Sequence, residues 1–434
     1  MRGLRMTLRG VMMAATLAGV VFAGGVTAPA TGSAGVVSGV RSAGPGAATR
    51  SASGADLAAA PAFSGSRPPG LAGLSGVSCV SASFCMAVGD FLSPTVTTSY
   101  PPGIIRSLAE EWNGSSWRVL RSAEAVGVLD AVSCTSASFC MAVGGENLVG
   151  PSLAEAWNGR TWRVVKTPSA SPHLSAVSCA TASFCVGAPS STASNVAQVW
   201  NGRTWQPMNM SGDGCVAFFC VLAEVSCPSA GHCMAVGTYA NHAGTVVLSK
   251  ALRWNGKTWR DTNPPSPGQN AGLHVVSCPS ASSCIAIGDG LAIAWDGTSW
   301  RRLAAPATPS LRDVSCLGAR SCVTVGGQGY GPSPASASAW NGRTWRRLRP
   351  AEPGESARVL FDVSCWHASA CMAVGSYSTQ SAPFGAQLAL AEQWNGTTWR
   401  VRRTPSPDDA SSGSGMAGPG GCWPRAAPAT SSTS

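Results

Sequence analysis

Charge is scarce in this chain. Asp, Glu, Lys and Arg make up 12% of its 434 residues, about half the share of an ordinary soluble domain. That excludes a coiled coil and a charge-rich disordered chain. Lysine is nearly missing: of 30 basic residues only Lys166, Lys250 and Lys257 are lysines. The formal net charge is +10, yet no run gathers it, so the clustered basic face that grips nucleic acid is not expected. Only five histidines occur, and none has metal-ligand spacing. No apolar stripe recurs at helical spacing, which excludes an ordinary helical enzyme. No phosphate loop, dinucleotide fingerprint or Gly-x-Ser-x-Gly nucleophile turn is present, so no cofactor is expected.

Small and sulfur-bearing residues fill the gap, with 51 Gly, 30 Pro, 17 Cys and 16 Trp. The N-terminus reads as a secretory signal over 1–30. Arg2, Arg5 and Arg9 precede an uncharged, mostly apolar stretch from Val11 to Val26. Ala28-Pro29-Ala30 then offers a small-x-small cleavage site. The stretch is short for a membrane anchor, the alternative reading, and no later segment is long and apolar enough to span. Residues 31–73 are a flexible linker of Ala, Gly, Ser and Pro, and 405–434 form a tail of the same character.

Between these tails the chain repeats seven times. One half of the unit is Val-Ser-Cys, five residues, then Cys. It occurs at Cys79/Cys85, Cys134/Cys140, Cys179/Cys185, Cys227/Cys233, Cys278/Cys284, Cys316/Cys322 and Cys365/Cys371. A Met-Ala-Val-Gly-like run usually follows, and it is degraded in the third copy. The other half is Trp-Asn-Gly-x-Ser/Thr-Trp, starting at Trp112, Trp157, Trp200, Trp254, Trp295, Trp340 and Trp394, with Asp296 for Asn in the fifth copy. A period of ~48 residues, short β-favouring runs and an Asn-Gly turn per unit predict four strands, a to d. In the first unit these are about Leu74–Cys79, Phe84–Gly89, Ser107–Trp112 and Trp117–Leu120. The c–d loop has either two or four residues; four would set Trp112 across from Trp117.

Seven such units over 74–404 predict an all-β, seven-bladed β-propeller, because one blade cannot bury both faces alone. The paired Trp are expected between blades. The two Cys of each pair are expected to flank a five-residue hairpin turn and bridge it. Each bridge contributes roughly 2 kcal/mol in the loop-entropy model, in an oxidising compartment. Cys215 and Cys220 are expected to form an eighth bridge, leaving Cys422 over.

The Gly-x-Ser/Thr-Trp ending of all seven hairpins resembles the Asp-box, or bacterial-neuraminidase-repeat, propellers. The Ala-Val-Gly strand is similar to the same broad group, which includes sortilin-like and photosystem-assembly-type propellers. The sequence departs from the Asp-box in that the family's Asp falls on Trp157 and its equivalents. The resemblance implies a propeller and, for sialidases, an arginine triad and a Tyr nucleophile. No position here matches those catalytic residues. The chain also looks like the secreted repeat proteins of high-G+C bacteria.

Loop lengths locate the candidate site. The a–b and c–d turns share one face of the disc and do not vary. The b–c and d–a connections share the other and vary widely, so the working surface is expected there. Candidate binding residues are Phe91 and Tyr100 in a loop over 90–106, Tyr377 and Phe384 in a loop over 376–387, and Tyr239 and Tyr330. Phe218 and Phe219 are either binding residues or a small satellite core. Glu224, Asp313 and Asp362, three positions before the first Cys, are expected to rim the central channel. They would be either a cation or polar-ligand site or solvated strand ends paired with Arg. Glu110, Glu155 and Glu392 are expected to pair with Arg118, Arg163 and Arg400. The resulting reading is a secreted, monomeric, non-catalytic binding module for an extracellular glycan or protein, without metal. A propeller glycosidase or polysaccharide lyase and a structural envelope component are the alternatives.

Overall fold

A computed structural model describes residues 72–405, except for 94–103, 124–125, 147–150, 169–171, 190–195, 211–219, 241–245, 269–270, 307–309, 328–333, 352–357 and 379–386. The signal, most of the linker, the tail and Cys422 therefore lie outside the described residues. So do residues 57–66, a candidate extra strand.

Twenty-eight strands form seven four-stranded antiparallel sheets, each made of consecutive strands. Blade 1 consists of strands a to d at Ala72–Ser81, Phe84–Ser93, Ile104–Trp112 and Trp117–Leu120. The innermost strands of blades 2 to 7 are Val128–Ser136, Leu174–Thr181, Cys220–Ser229, Leu273–Ser280, Leu311–Gly318 and Arg358–His367. Each meets the next, and the last meets the first, so the ring closes without strand exchange. The strands outrun the expected bounds. Strand b of blade 1 continues to Ser93, and strand c begins at Ile104. Phe91 is therefore a strand residue, paired with Ala72 and Arg106, and not part of a loop.

Seven apolar cores hold the ring, each shared by two neighbouring blades. Trp157 and Trp162 of blade 2, for example, pack with Phe84, Met86 and Val88 of blade 1. Trp112 and Trp117 pack with Met372 and Val374 of blade 7. The c–d loop has four residues, and the two tryptophans face each other across the ladder in all seven blades. Their ring centroids lie 5.2–6.0 Å apart, within the range of favourable aromatic pairs. In blade 1, Asn113 Oδ1 accepts from the Ser115 and Ser116 amides at 3.0 Å. Gly114 adopts φ +97° there, which glycine permits without strain.

Seven disulfides bridge strands a and b, with Cα atoms 3.9–4.1 Å apart: Cys79–Cys85, Cys134–Cys140, Cys179–Cys185, Cys227–Cys233, Cys278–Cys284, Cys316–Cys322 and Cys365–Cys371. Their place in the hairpin differs from the expected one. In blade 1 the ladder runs on past the cysteines to a two-residue turn at Ala82-Ser83, so the turn is shorter than the cysteine spacing implied. The second cysteine of each pair consequently does not flank an exposed turn. Cys85, Cys140, Cys185, Cys233, Cys284, Cys322 and Cys371 stand inside strand b and are buried. Each is a member of an inter-blade core and lies across the ladder from the first hairpin Trp of its own blade, as Cys85 does from Trp112 and Cys371 from Trp394. The physical reason is that strand b is covered on both faces: Cys85 and Ala87 enter the core shared with blade 7, and Phe84, Met86 and Val88 the core shared with blade 2. The bridge thus packs as apolar core besides closing a ring.

Cys220 is also disulfide-bonded; its expected partner Cys215 lies outside the described residues. This density of bridges fits an oxidising compartment, not the cytosol.

Serine joins the blades at the centre. The residue before each first Cys accepts, through Oγ, the amide of the first Cys in the next blade. Ser78 accepts from Cys134, Ser133 from Cys179, Ser178 from Cys227, Ser226 from Cys278, Ser277 from Cys316 and Ser315 from Cys365, all at 2.9–3.0 Å. Ser364 accepts from Cys79 at 2.9 Å and closes the circle.

Candidate binding surface

An antiparallel meander sends strand a away from the face that carries the d–a and b–c connections. Those connections range from residues 289–290 in blade 5 to 262–272 between blades 4 and 5, whereas the opposite face repeats the same two turns.

The inner strands carry a second repeated device. Leucine stands five positions before each first Cys, at Leu74, Leu129, Leu174, Leu222, Leu273, Leu311 and Leu360, and valine stands two before. Both face the same inter-blade core, as Leu74 and Val77 do. A strand alternates its side chains with period two, so an odd separation of three requires an extra residue. A register shift lies there in every blade, as between Leu74 and Gly76. The bulge brings a strand-a carbonyl onto strand b. A Cβ on Gly144 would stand 2.1 Å from Val128 O, and one on Gly375 1.9 Å from Val359 O. That accounts for the glycine of Ala-Val-Gly.

The bulged residues are Ser75, Asp130, Ser175, Ala223, His274, Arg312 and Phe361. None is buried, and no two neighbouring blades present the same one. They lie on the half of the inner strands nearer the variable face. His274 Nε2 pairs with Asp289 Oδ1 in the b–c turn of its own blade at 3.0 Å. Asp130 Oδ2 pairs with His173 Nε2 in the connection entering blade 3. Burial, with Asp130 nearby, raises the pKa of Asp90 to about 6.

One position further on, the three expected channel acids come together. Asp362 Oδ2 accepts the amide of Val77 in blade 1 at 2.8 Å, and Asp313 Oδ2 accepts that of Val363 in blade 7 at 2.8 Å. Glu224 accepts from Val276 in blade 5. The Asp313 carboxyl lies beside that of Asp362, and like charges so placed resist ionising together. Burial and then the Asp313 charge hold both Glu224 and Asp362 well above the usual carboxylate range. The acids are thus inter-blade acceptors facing the channel and are not paired with arginine. Among the described residues, no group of three or more His, Cys, Asp or Glu side chains is placed to hold a metal ion.

Tyr239 and Tyr377 occupy the strand-b position equivalent to Phe91. Tyr239 pairs with Cys220 and Leu248, and Tyr377 with Arg358 and Leu388. All three pack, partly buried, against the edge of an inter-blade core. The Lys250 ammonium lies 6.0 Å over the Tyr239 ring, and burial raises the Tyr377 pKa. Tyr100, Phe218, Phe219, Tyr330 and Phe384 lie outside the described residues.

The expected glutamate–arginine pairs do not form: in blade 1 Arg118 takes the next residue along, and in blades 2 and 7 Arg163 and Arg400 face Ala156 and Gln393. Arg118 stands across from Glu111, with Arg118 Nη2 2.9 Å from Glu111 Oε2, while Glu110 faces inward. Alternation turns the two residues toward opposite neighbouring blades, so Glu110 is closed off in the interior and Glu111 reaches the exposed Arg118. Glu155 accepts from Ser122 Oγ at 2.7 Å and the Ala123 amide at 3.0 Å; Glu392 accepts the Ala351 amide at 2.8 Å. Each donor lies in the connection leaving the preceding blade. Glu110, wholly buried, has no partner for either oxygen among the described residues. The residue matching Ala123 and Ala351 is Pro405, which has no N–H. Burial raises the Glu110 pKa to about 8.

The chain matches no protein-family model and no curated protein. Its fold is similar to that of solved propellers. YCF48 from Cyanidioschyzon merolae shares 14% identity over 76% of this chain and 97% of that one, with a TM-score of 0.49. YCF48 bound to D1 peptide shares 14% over 71% and 91%, at 0.48. The RRP9 WD40 repeats share 9% over 70% and 87%, at 0.46. No helix among the described residues is long and apolar enough to cross a membrane.

Proposed function

We propose that the protein is a secreted, non-catalytic binding module whose ligand, an extracellular glycan or protein, docks on the variable face around the channel mouth. One observation carries this reading. Seven copies of the unit keep Leu, Val, Ser and Cys at fixed places on the inner strand, yet present Ser75, Asp130, Ser175, Ala223, His274, Arg312 and Phe361 at the bulge. A residue that only held the ring together would repeat as its neighbours do. A bulge re-aims a side chain without disturbing the ladder on either side, which lets one position diversify while the scaffold stays constant.

The buried glutamates support a non-catalytic role. Glu155 and Glu392 are engaged by backbone amides, and Glu110 has no access to solvent. A glycan array probed with the oxidised protein, beside hydrolysis assays on a polysaccharide panel, tests the reading. The expected result is binding without turnover. Reproducible hydrolysis would replace it with the glycosidase reading, and neither binding nor turnover with the structural one.

A further inference from the structure

Across the outer hairpin, the residue before the first Trp faces the residue after the second. In blade 1 this pair is Glu111 and Arg118, an ion pair. In blades 2, 3, 5, 6 and 7 it is Ala156 with Arg163, Val199 with Gln206, Ala294 with Arg301, Ala339 with Arg346, and Gln393 with Arg400. Blade 4 alone sets two like charges against each other, Arg253 and Arg260. Directly opposed like charges weaken an antiparallel pair. Among the described residues neither guanidinium has a hydrogen bond or a carboxylate partner.

The same two residues line an open cleft of about 330 Å³ between the outer hairpins of blades 4 and 5, with Asn255, Asn263, Trp295 and Thr298. The Arg253 guanidinium lies 6.0 Å over the Trp295 ring. Stacking on an aromatic face fixes a guanidinium while leaving its in-plane N–H donors free. The lining carboxylate, Asp261, is already occupied, by Lys250 and by the Asn263 amide at 2.8 Å. The indole N–H of Trp295 has no acceptor among the described residues, whereas its counterpart Trp112 donates to Ala82 O at 3.1 Å.

We propose that Arg253 and Arg260 form an oxyanion-binding site for a saccharide that carries a carboxylate or sulfate group. An anion between the two guanidiniums removes their repulsion and takes charge-assisted hydrogen bonds from both. The amides of Asn255 and Asn263 and the hydroxyl of Thr298 give the neutral part of a sugar donors and acceptors. The site stands on the outer hairpins and does not depend on the channel mouth.

The test is calorimetric titration of the full oxidised protein at low salt with a galacturonic acid trimer, a sulfated disaccharide and a neutral galactose trimer. Binding of either acidic saccharide at one site per chain, without binding of the neutral one, is expected; the tighter of the two identifies the oxyanion. Arg253→Glu rebuilds the blade 1 ion pair and should weaken binding about tenfold or more, as loss of a charged hydrogen bond does. Arg260→Gln, the residue of blade 3, should do the same and covers the case that Arg253→Glu fails to fold. Arg346→Gln, on blade 6, should leave binding unchanged. Equal affinity in the parent and either blade 4 variant would overturn the proposal. So would tighter binding of a glutamate oligopeptide than of both acidic saccharides.

Discussion

The amide of Cys79 donates to Ser364 Oγ at 2.9 Å, joining residues 285 positions apart. The first blade is held to the seventh by the same bond that links every other neighbouring pair, and Val77 to Asp362 adds a second beside it. The seam where the chain begins and ends is thus built like the rest. It is also the seam with the unpartnered carboxyl, Glu110. Closure therefore rests on repeated small bonds around the channel and on the apolar core of Trp112, Trp117, Met372 and Val374.

Replacing Ser364 with Ala removes the acceptor and leaves the Cys79 amide unpaired. We predict a loss of about 1 kcal/mol in unfolding free energy. It should be read as a lower denaturant midpoint with unchanged slope. Ser133→Ala, at an internal junction, should cost the same. A much larger loss at Ser364 would show that closure is weaker than the internal seams.

Glu110 makes stability fall as the pH rises. Its pKa in the folded protein is raised to about 8, so the folded form holds a proton that the unfolded chain releases above its ordinary value near 4.5. Between those limits each pH unit costs up to ~1.4 kcal/mol. Glu110→Gln, which copies Gln198 of blade 3, should match the parent at pH 4 and exceed it at pH 8. Thermal melts at the two pH values check this; equal stabilisation at both would remove titration as the cause.

Gly144 passes beneath the Val128 carbonyl, and an added Cβ would lie 2.1 Å from that oxygen. Since backbone has to move, Gly144→Ala should destabilise by about 3 kcal/mol or more. Gly231, where an added Cβ would meet nothing within 4 Å, is the control and should tolerate alanine. Chemical denaturation of both variants measures the difference.

Seven bridges at roughly 2 kcal/mol each add up to as much as the whole net stability of an ordinary domain, about 5–15 kcal/mol. Full reduction should therefore unfold the ring at 25 °C without denaturant. The near-ultraviolet dichroism of the seven Trp pairs should vanish as the thiols appear. Its survival after complete thiol titration would show that the inter-blade cores suffice alone.

The propeller is legible in the sequence because its determinants recur seven times: a spacing between cysteines, a Trp-Asn-Gly turn, an Ala-Val-Gly strand. Repetition exposes whatever is structural. The bulge is written as plainly, in the odd separation of Leu74 from Val77 and its six equivalents, but it shows only when the period of two is carried through the whole inner strand. Cys85 and Cys371 are buried because strand b is covered on both faces by neighbouring blades, which a reading of them as turn-flanking residues misses. Alternation decides the glutamates: a shift of one residue separates Glu110, closed off in the interior, from Glu111, which reaches Arg118. Phe91 and Tyr377 read as loop residues because nothing local marks the strand as continuing there; its length is set by pairing with Arg106 and Arg358. What Arg253 faces is equally hidden, since only the register puts Arg260 opposite.

Hydrogen exchange of the native oxidised protein, with and without its best ligand from the array, tests the docking surface most directly. The account predicts protection around the channel mouth, over residues 72–76, 128–131, 273–275, 311–313 and 358–362, with the hairpin turns at 113–116 and 395–398 unchanged. Protection confined to those turns would contradict it.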